Sequence, residues 1–251
     1  MTAFTYWTLR QAALCLTAMA LQTLPHGAMA APVLPDFATA DFSNPKPNPY
    51  LPLEVGRSGV LMGSSLVDGV ALTEMAVHTV VGAGPVIMGI QTTTVVDEAF
   101  DGPVLVERTL DYFAADAAGN VWYLGEDVEN FRYDDAGVLT GTDNHSAWRA
   151  GVNGAVPGIT MPADLTVGVA LFQEHAPAEE AMDYAELVET GLTIETDAGQ
   201  FTDVIKFYEA STVDLDLREF KYYAPGVGMI MADEGLDEGR ANPALVMSLQ
   251  K

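Results

Sequence analysis

Val104-Leu105-Val106-Glu107-Arg108-Thr109-Leu110-Asp111-Tyr112-Phe113 is the stretch on which the fold turns. Its apolar and polar residues alternate imperfectly, so as a strand it buries one face and leaves the other only partly wet. Asp101-Gly102 just before it fits a tight hairpin. Asp116-Ala117-Ala118-Gly119-Asn120 just after it fits a slightly longer one, with Gly119 supplying positive φ. Working outward, residues 74–81, 86–100, 103–114 and 121–131 are rich in Val, Ile, Thr, Tyr and Phe, and short polar turns join neighbours. The same turn grammar returns at Asp134-Asp135-Ala136-Gly137 and Asp197-Ala198-Gly199-Gln200, and residues 201–209 repeat the two-sided pattern. Repeated hairpins mean an antiparallel meander, and strands apolar on both sides mean a sheet that curls around something.

The sequence therefore predicts a mainly β protein: a single strongly curved antiparallel sheet, a half-barrel or barrel-like meander, with at most one or two short helices. Its inner wall is expected to be apolar. Residues 176–189 are the one helix candidate, because Pro177 suits a first turn and Ala178, Glu179, Glu180, Ala181, Met182 and Ala185 are helix formers. Residues 184–196 also extend naturally as a strand. Residues 151–168, with Gly154, Pro157, Gly158 and Pro162, read as a long irregular connection: a crossover between strand groups, or a loop held by the sheet for function.

The chain begins with the marks of a secretory signal peptide, assigned to residues 1–30. Arg10 is the first charged residue, an apolar run covers residues 12–24, and Ala28-Met29-Ala30 gives a small-x-small cleavage pattern. That run is too short to span a bilayer as a permanent helix. Cleavage removes Cys15, the chain's one cysteine, and Leu14 stands where a lipid-attachment site needs a small residue. The mature chain is thus expected to be thiol-free, without a transmembrane segment, and exported to the periplasm or extracellular space. Residues 31–49 follow as a Pro/Asn-rich linker or pinned extended arm, since closely spaced prolines remove backbone donors and favour extended geometry. The antiparallel β domain is assigned to residues 50–251.

Composition narrows the partners. The chain carries 11 Lys+Arg against 35 Asp+Glu, and loss of Arg10 takes the formal charge from −24 to 10 − 35 = −25. Such a field repels nucleic acid and anionic membrane surfaces. Salt outside the cytoplasm screens the mutual repulsion of solvated carboxylates over about 10 Å.

The polar constellations are sparse. Glu74 and His78 share a strand face, but His78, His145 and His175 show no H-x-H or H-E-x-x-H spacing, and no cofactor is expected. The Asp-led turns at residues 116–120 and 134–137 contain fragments of a calcium loop without its closing Glu, and Asp-Gly hairpin turns use the same letters. No G-x-S-x-G is present, and Asp97-Glu98 and Glu126-Asp127 splay to opposite faces if they lie in strands. Aromatic residues give the better binding signal. Trp122, Trp148, Tyr208 and Tyr222 are the candidate anchors for a ligand held on a concave face.

Phe220-Lys221-Tyr222-Tyr223-Ala224-Pro225-Gly226-Val227-Gly228-Met229-Ile230 carries a family signal, with residues 48–53, 119–127 and 157–162 in the same order along the chain. Together they resemble a group of secreted bacterial proteins of unknown function, related to families whose curved antiparallel sheets are similar to those of lipoprotein carriers. The resemblance implies a curved-sheet fold over about residues 48–231 and transfers no catalytic motif. Independently of it, Pro225-Gly226 makes a turn and Gly228 permits close approach on the next strand.

The reading that results is an exported binding or interaction module, whose curved sheet holds an apolar small molecule or acyl chain, or meets a protein partner. Two rivals are a secreted hydrolase using a His/carboxylate pair and a calcium-stabilised structural protein. A hydrolase requires an imidazole within about 3.2 Å of a serine hydroxyl or carboxylate in a cleft.

Overall fold

The computed structural model of the chain describes residues 31–67, 70–134 and 136–251. The leader pattern of residues 1–30, Cys15 included, and Asp135 of the 134–137 turn lie outside the described residues. No helix among the described residues is long and apolar enough to cross a membrane.

Long hairpins build the first half of the chain: β1 (Ser58–Val67), β2 (Val70–Ile87), β3 (Ile90–Asp101), β4 (Val104–Ala115) and β5 (Val121–Tyr133). Short strands follow as β6 (Leu139–Asp143), β7 (Trp148–Arg149), β8 (Val156–Met161), β9 (Ala170–Phe172) and β10 (Glu174–His175). The second half is again hairpins: β11 (Asp183–Thr196), β12 (Gly199–Ser211), β13 (Arg218–Ala224), β14 (Gly228–Glu234) and β15 (Leu245–Leu249). They form one 15-stranded sheet in the order β10-β8-β5-β4-β3-β2-β1-β15-β14-β13-β12-β11-β9, with β6 and β7 also on β5. Pairing of β15 with β1 joins the halves. The two ends of this order, β9 and β10, are separated in sequence by Gln173 alone, so the sheet curls until its edges meet in a nearly closed antiparallel barrel. The expected fold class is the one observed.

Gly158 makes that seam possible. A Cβ there would stand 2.2 Å from the carbonyl oxygen of Phe172 and 2.4 Å from that of Gln173, so only hydrogen fits between β8 and the chain crossing it. The hairpins are set by their turn residues. The Asp116 carboxylate accepts the backbone N–H groups of Ala118, Gly119 and Asn120, together with Asn120 Nδ2 and Trp122 Nε1. Burial pushes the Asp116 carboxyl up, but these donors outweigh it and hold its pKa below the ordinary value. Asp134 likewise accepts the N–H groups of Ala136 and Val138. Both Asp-led motifs are thus turn caps.

Residues 176–189 are not helical. Ala176 bridges to Ala181 around a turn in which Glu180 takes φ 61°, and β11 starts at Asp183. The reason is tertiary: Tyr184, Ala185 and Glu186 pair with β9 on one side and β12 on the other, which outweighs a helix preference of tenths of a kcal/mol per residue. Residues 151–168 are also less irregular than expected, since they contain β8.

The Pro/Asn-rich stretch takes the pinned form. Val33 hydrogen-bonds the edge strand β9 through Ala170 O and the Phe172 N–H. After a single 3-10 turn at Phe37–Thr39, Lys46 N–H donates to Asp116 O, and Asn48 Nδ2 donates to Gly119 O at 2.8 Å and Pro162 O at 3.2 Å. Pro49 O accepts Gly226 N–H, and Tyr50 Oη donates to Asp203 O at 3.1 Å. The arm therefore crosses one end of the barrel, from the β4–β5 turn to the β13–β14 turn, and its aromatic and leucine residues pack on the core.

Candidate functional site

A cleft of about 670 Å³ opens where the arm crosses the barrel end. Leu51 and Leu53 of the arm form one wall, Ile90 the other, and Ala114, Ala115 and Val121 the floor. Register splits this floor between the two faces of the sheet: Phe113 pairs with both Thr93 and Tyr123, and Ala115 with Val121, so Thr93, Ala115 and Val121 share the inward face, while Ala114, opposite Trp122, belongs to the outward one. Polar groups stand at the rim. Lys46 lines one side, and Gln91 donates to Gly84 O and Thr92 O. Glu54 is neutralised by Arg57 at 2.7 Å, and the Arg57 guanidinium also donates to Gly226 O, which ties the arm down beyond the cleft.

Below the mouth the interior is mixed: beside Phe113, Trp148 and Phe207 it carries acidic and basic side chains, which corrects the expectation of a wholly greasy wall. Tyr123 Oη lies 2.5 Å from Asp111 Oδ1 and 2.8 Å from Glu126 Oε2. A phenol has one proton to give, so both contacts are favourable only when one carboxyl is itself protonated and donates to the phenol oxygen. Lys221 Nζ pairs with Glu209 at 2.7 Å and Glu219 at 3.1 Å, and Gln173 Nε2 donates to Glu209. His78 Nδ1 lies 2.9 Å from Asp97. These groups act on one another between strands that are not neighbours in the sheet: Asp111 of β4 with Glu174 of β10, Glu126 of β5 with Asp183 of β11, and His78 of β2 with Lys221 of β13. They meet through the barrel interior.

Burial in mutual repulsion favours neutral forms. Burial, then Asp97, pushes the Asp111 carboxyl up to about 7. Burial raises Asp183 to about 6 against a hydrogen bond from Ser211. Glu126 and Glu174 are held well above the ordinary carboxylate range by burial and by each other's neighbourhood of acids. Burial works against the Lys221 charge, but Glu209 and Glu219 overcome it and hold the ammonium well above its usual value. Burial likewise opposes the His78 charge, and Asp97 reverses the outcome, so the imidazole is raised.

The four aromatic anchors read from sequence are all buried, each at most 6% exposed. They are not gathered on one surface. Trp148 pairs across from Glu126 and meets Tyr123 edge-on at 5.5 Å, so it faces inward. Trp122, one residue from Tyr123, lies on the opposite face under Phe37 and Phe42 of the arm. Tyr208 and Tyr222 alternate with the inward Glu209 and Lys221, and so face outward. Arg240 covers the Tyr208 ring at 3.7 Å, and the Tyr222 hydroxyl donates to Asp233 at 2.7 Å. Phe42 connects the two regions, lining the cleft while it contacts Trp122.

His78 and Asp97 satisfy the distance a hydrolase base requires, but neither lines the cleft, and among the described residues His78 Nε2 has no partner. His145 stands 3.8 Å from Glu180 on the exterior, and the His175 ring meets Phe172 edge-on. Among the described residues no group of three or more His, Cys, Asp or Glu could hold a metal ion. Sequence reasoning treated the acids as solvated and so missed Asp111, Glu126, Glu174, Asp183 and Glu209. The available signal was parity: Glu107 and Asp111 alternate with Arg108 and Tyr112, and one set had to turn inward once the sheet curled.

No family model and no curated protein matches the chain. Among solved structures it is similar to a candidate exported protein with a YmcC-like fold from Bacteroides fragilis NCTC 9343, at 14% identity over 84% of this chain and 98% of that one, with a TM-score of 0.41. It is also similar to a candidate lipoprotein from Parabacteroides distasonis ATCC 8503, at 12% identity over 82% of this chain and 99% of that one, with a TM-score of 0.42.

Proposed function

We propose that the protein is an exported binding module that seats the apolar part of a small molecule or an acyl chain in the cleft beneath the arm. Export rests on the leader pattern of residues 1–30. Binding rests on one observation: a cleft of about 670 Å³ with an apolar floor and polar rim, within the roughly 300–1,000 Å³ range of small-molecule sites. The arm suits the role because hydrogen bonds hold it along the cleft, Asn48 to Gly119 and Pro162, and Pro49 and Arg57 to Gly226. The interior carboxyl groups serve as the polar base of the barrel and give the ligand no apolar route deeper.

Titration with N-phenyl-1-naphthylamine, an apolar dye that brightens on leaving water, tests this reading. Saturable binding of one dye per chain is expected, with loss of the signal in Ser43→Trp and Gln91→Trp, which fill the cleft from exposed lining positions. Absence of saturable binding, or binding that both variants leave intact, would overturn it.

A further inference from the structure

We infer that the cleft takes an amphiphile with a single apolar chain and a single anionic head, a fatty-acid carboxylate, with the head on Lys46. The inference rests on the binding role proposed above and names the ligand class of that same cleft.

Charge is the argument. Cations are scarce in this chain, 11 Lys+Arg against 35 Asp+Glu, and those near acids are spent on them: Arg108 on Glu98, Arg149 on Asp127, Lys221 on Glu209 and Glu219. Lys46 is the exception at the cleft. It is exposed, it lines the opening, and among the described residues its ammonium makes no ion pair and covers no ring. A carboxylate is close at hand in the fold, because Lys46 N–H donates to the carbonyl of Asp116. Yet the Asp116 side chain is filled by the donors of its own turn and by Trp122 Nε1, and does not engage the ammonium. The other charged lining residue, Glu54, is cancelled by Arg57. The cleft therefore presents one uncancelled positive charge beside an apolar floor, in a protein of formal charge −24.

That pattern selects against the common alternatives. A cationic amphiphile would place like charge against Lys46. A neutral apolar molecule would leave the rim charge unused, and a dianionic head would meet one ammonium with the surrounding acidic field unopposed. A monoanionic head on one chain matches both halves of the site, and the backbone bond to Asp116 O fixes where the lysine stem emerges.

Displacement of the bound naphthylamine dye from the full chain by decanoate and by 1-decanol, at pH 8 and below the micellar concentration, tests it. Decanoate is expected to displace the dye at about fivefold lower concentration than decanol, the upper end of what an exposed ion pair supplies. Lys46→Gln should erase that difference without changing decanol, and Lys46→Arg should retain it. Equal potency of the two chains, or a Lys46→Gln effect shared equally by decanol, would overturn the assignment of the head while leaving the cleft reading intact. Failure of both chains to displace the dye would defeat the cleft reading itself.

Discussion

Tyr123 Oη stands 2.5 Å from Asp111 Oδ1, and Glu126 completes the contact from the other side at 2.8 Å. Strands β4 and β5 are thus joined inside the barrel by two carboxyl groups that burial and mutual repulsion keep from ionising together. Tyr123→Phe should cost about 1–3 kcal/mol, since it strands two buried carboxyl groups. Urea unfolding at pH 6 reads the loss. Stability equal to that of the parent would contradict a shared proton at this point.

The interior acids also set a pH dependence. Asp111 and Asp183, raised to about 7 and about 6, bind protons more tightly folded than unfolded, as do Glu126 and Glu174. Their stabilisation is complete below the unfolded carboxylate range and is lost as pH climbs through the folded values. His78, also raised, loses its contribution in the same upward direction. Asp116, Asp143 and Asp237 are lowered and act oppositely, losing theirs as pH falls below about 4. Thermal melts should therefore peak near pH 4, with Tm about 5 °C or more lower at pH 8. A Tm that rises steadily from pH 5 to pH 8 would be incompatible with the buried acids.

Lys221 is the counterweight to that acidity. Lys221→Met leaves Glu209 and Glu219 without their ammonium and should cost about 3–5 kcal/mol at pH 8. Adding Glu209→Gln and Glu219→Gln should recover much of it, because neutral amides carry no uncompensated charge. Denaturant titration of the single and triple variants separates the two cases; a triple variant no better than the single one would place the loss in packing.

The seam offers a steric test. Gly158→Ala pushes a methyl group into the carbonyl oxygens of Phe172 and Gln173, backbone atoms that cannot swing aside, and should prevent closure of β8 on β10. Gly141→Ala on β6 meets nothing within 4 Å and serves as the control. Hydrogen exchange should show loss of protection across β8–β10 in the first variant alone. Full protection in both would mean that the seam does not depend on the close approach at Gly158.

Much of the fold is legible because hairpin chemistry is local. Asp101-Gly102 and the Asp116 turn announce themselves in the sequence, and the strands between them carry β-branched and aromatic residues. Residues 176–189 were ambiguous because Ala and Glu favour helix by small amounts, whereas their strand pairing with β9 and β12 arises only after the barrel closes. The site was harder for a related reason. Alternation reveals that Asp111 and Tyr112 face opposite ways, but which way is inward depends on curvature, and acids are ordinarily assigned to water. Tyr208 and Tyr222 looked like anchors for the same reason in reverse: their parity, fixed by Glu209 and Lys221, turns them outward. The cleft depends on an arm from residues 33–53 lying across β3, β4 and β5, a long-range contact with no local signature.

The central claim is that an apolar chain occupies the strapped cleft, and methyl NMR of the full chain titrated with 1-decanol tests it most directly. Shifts confined to Leu51, Leu53, Ile90 and Val121, saturating together, are the result expected. Shifts centred on outward residues near Tyr208 and Tyr222, or none at all, would contradict it.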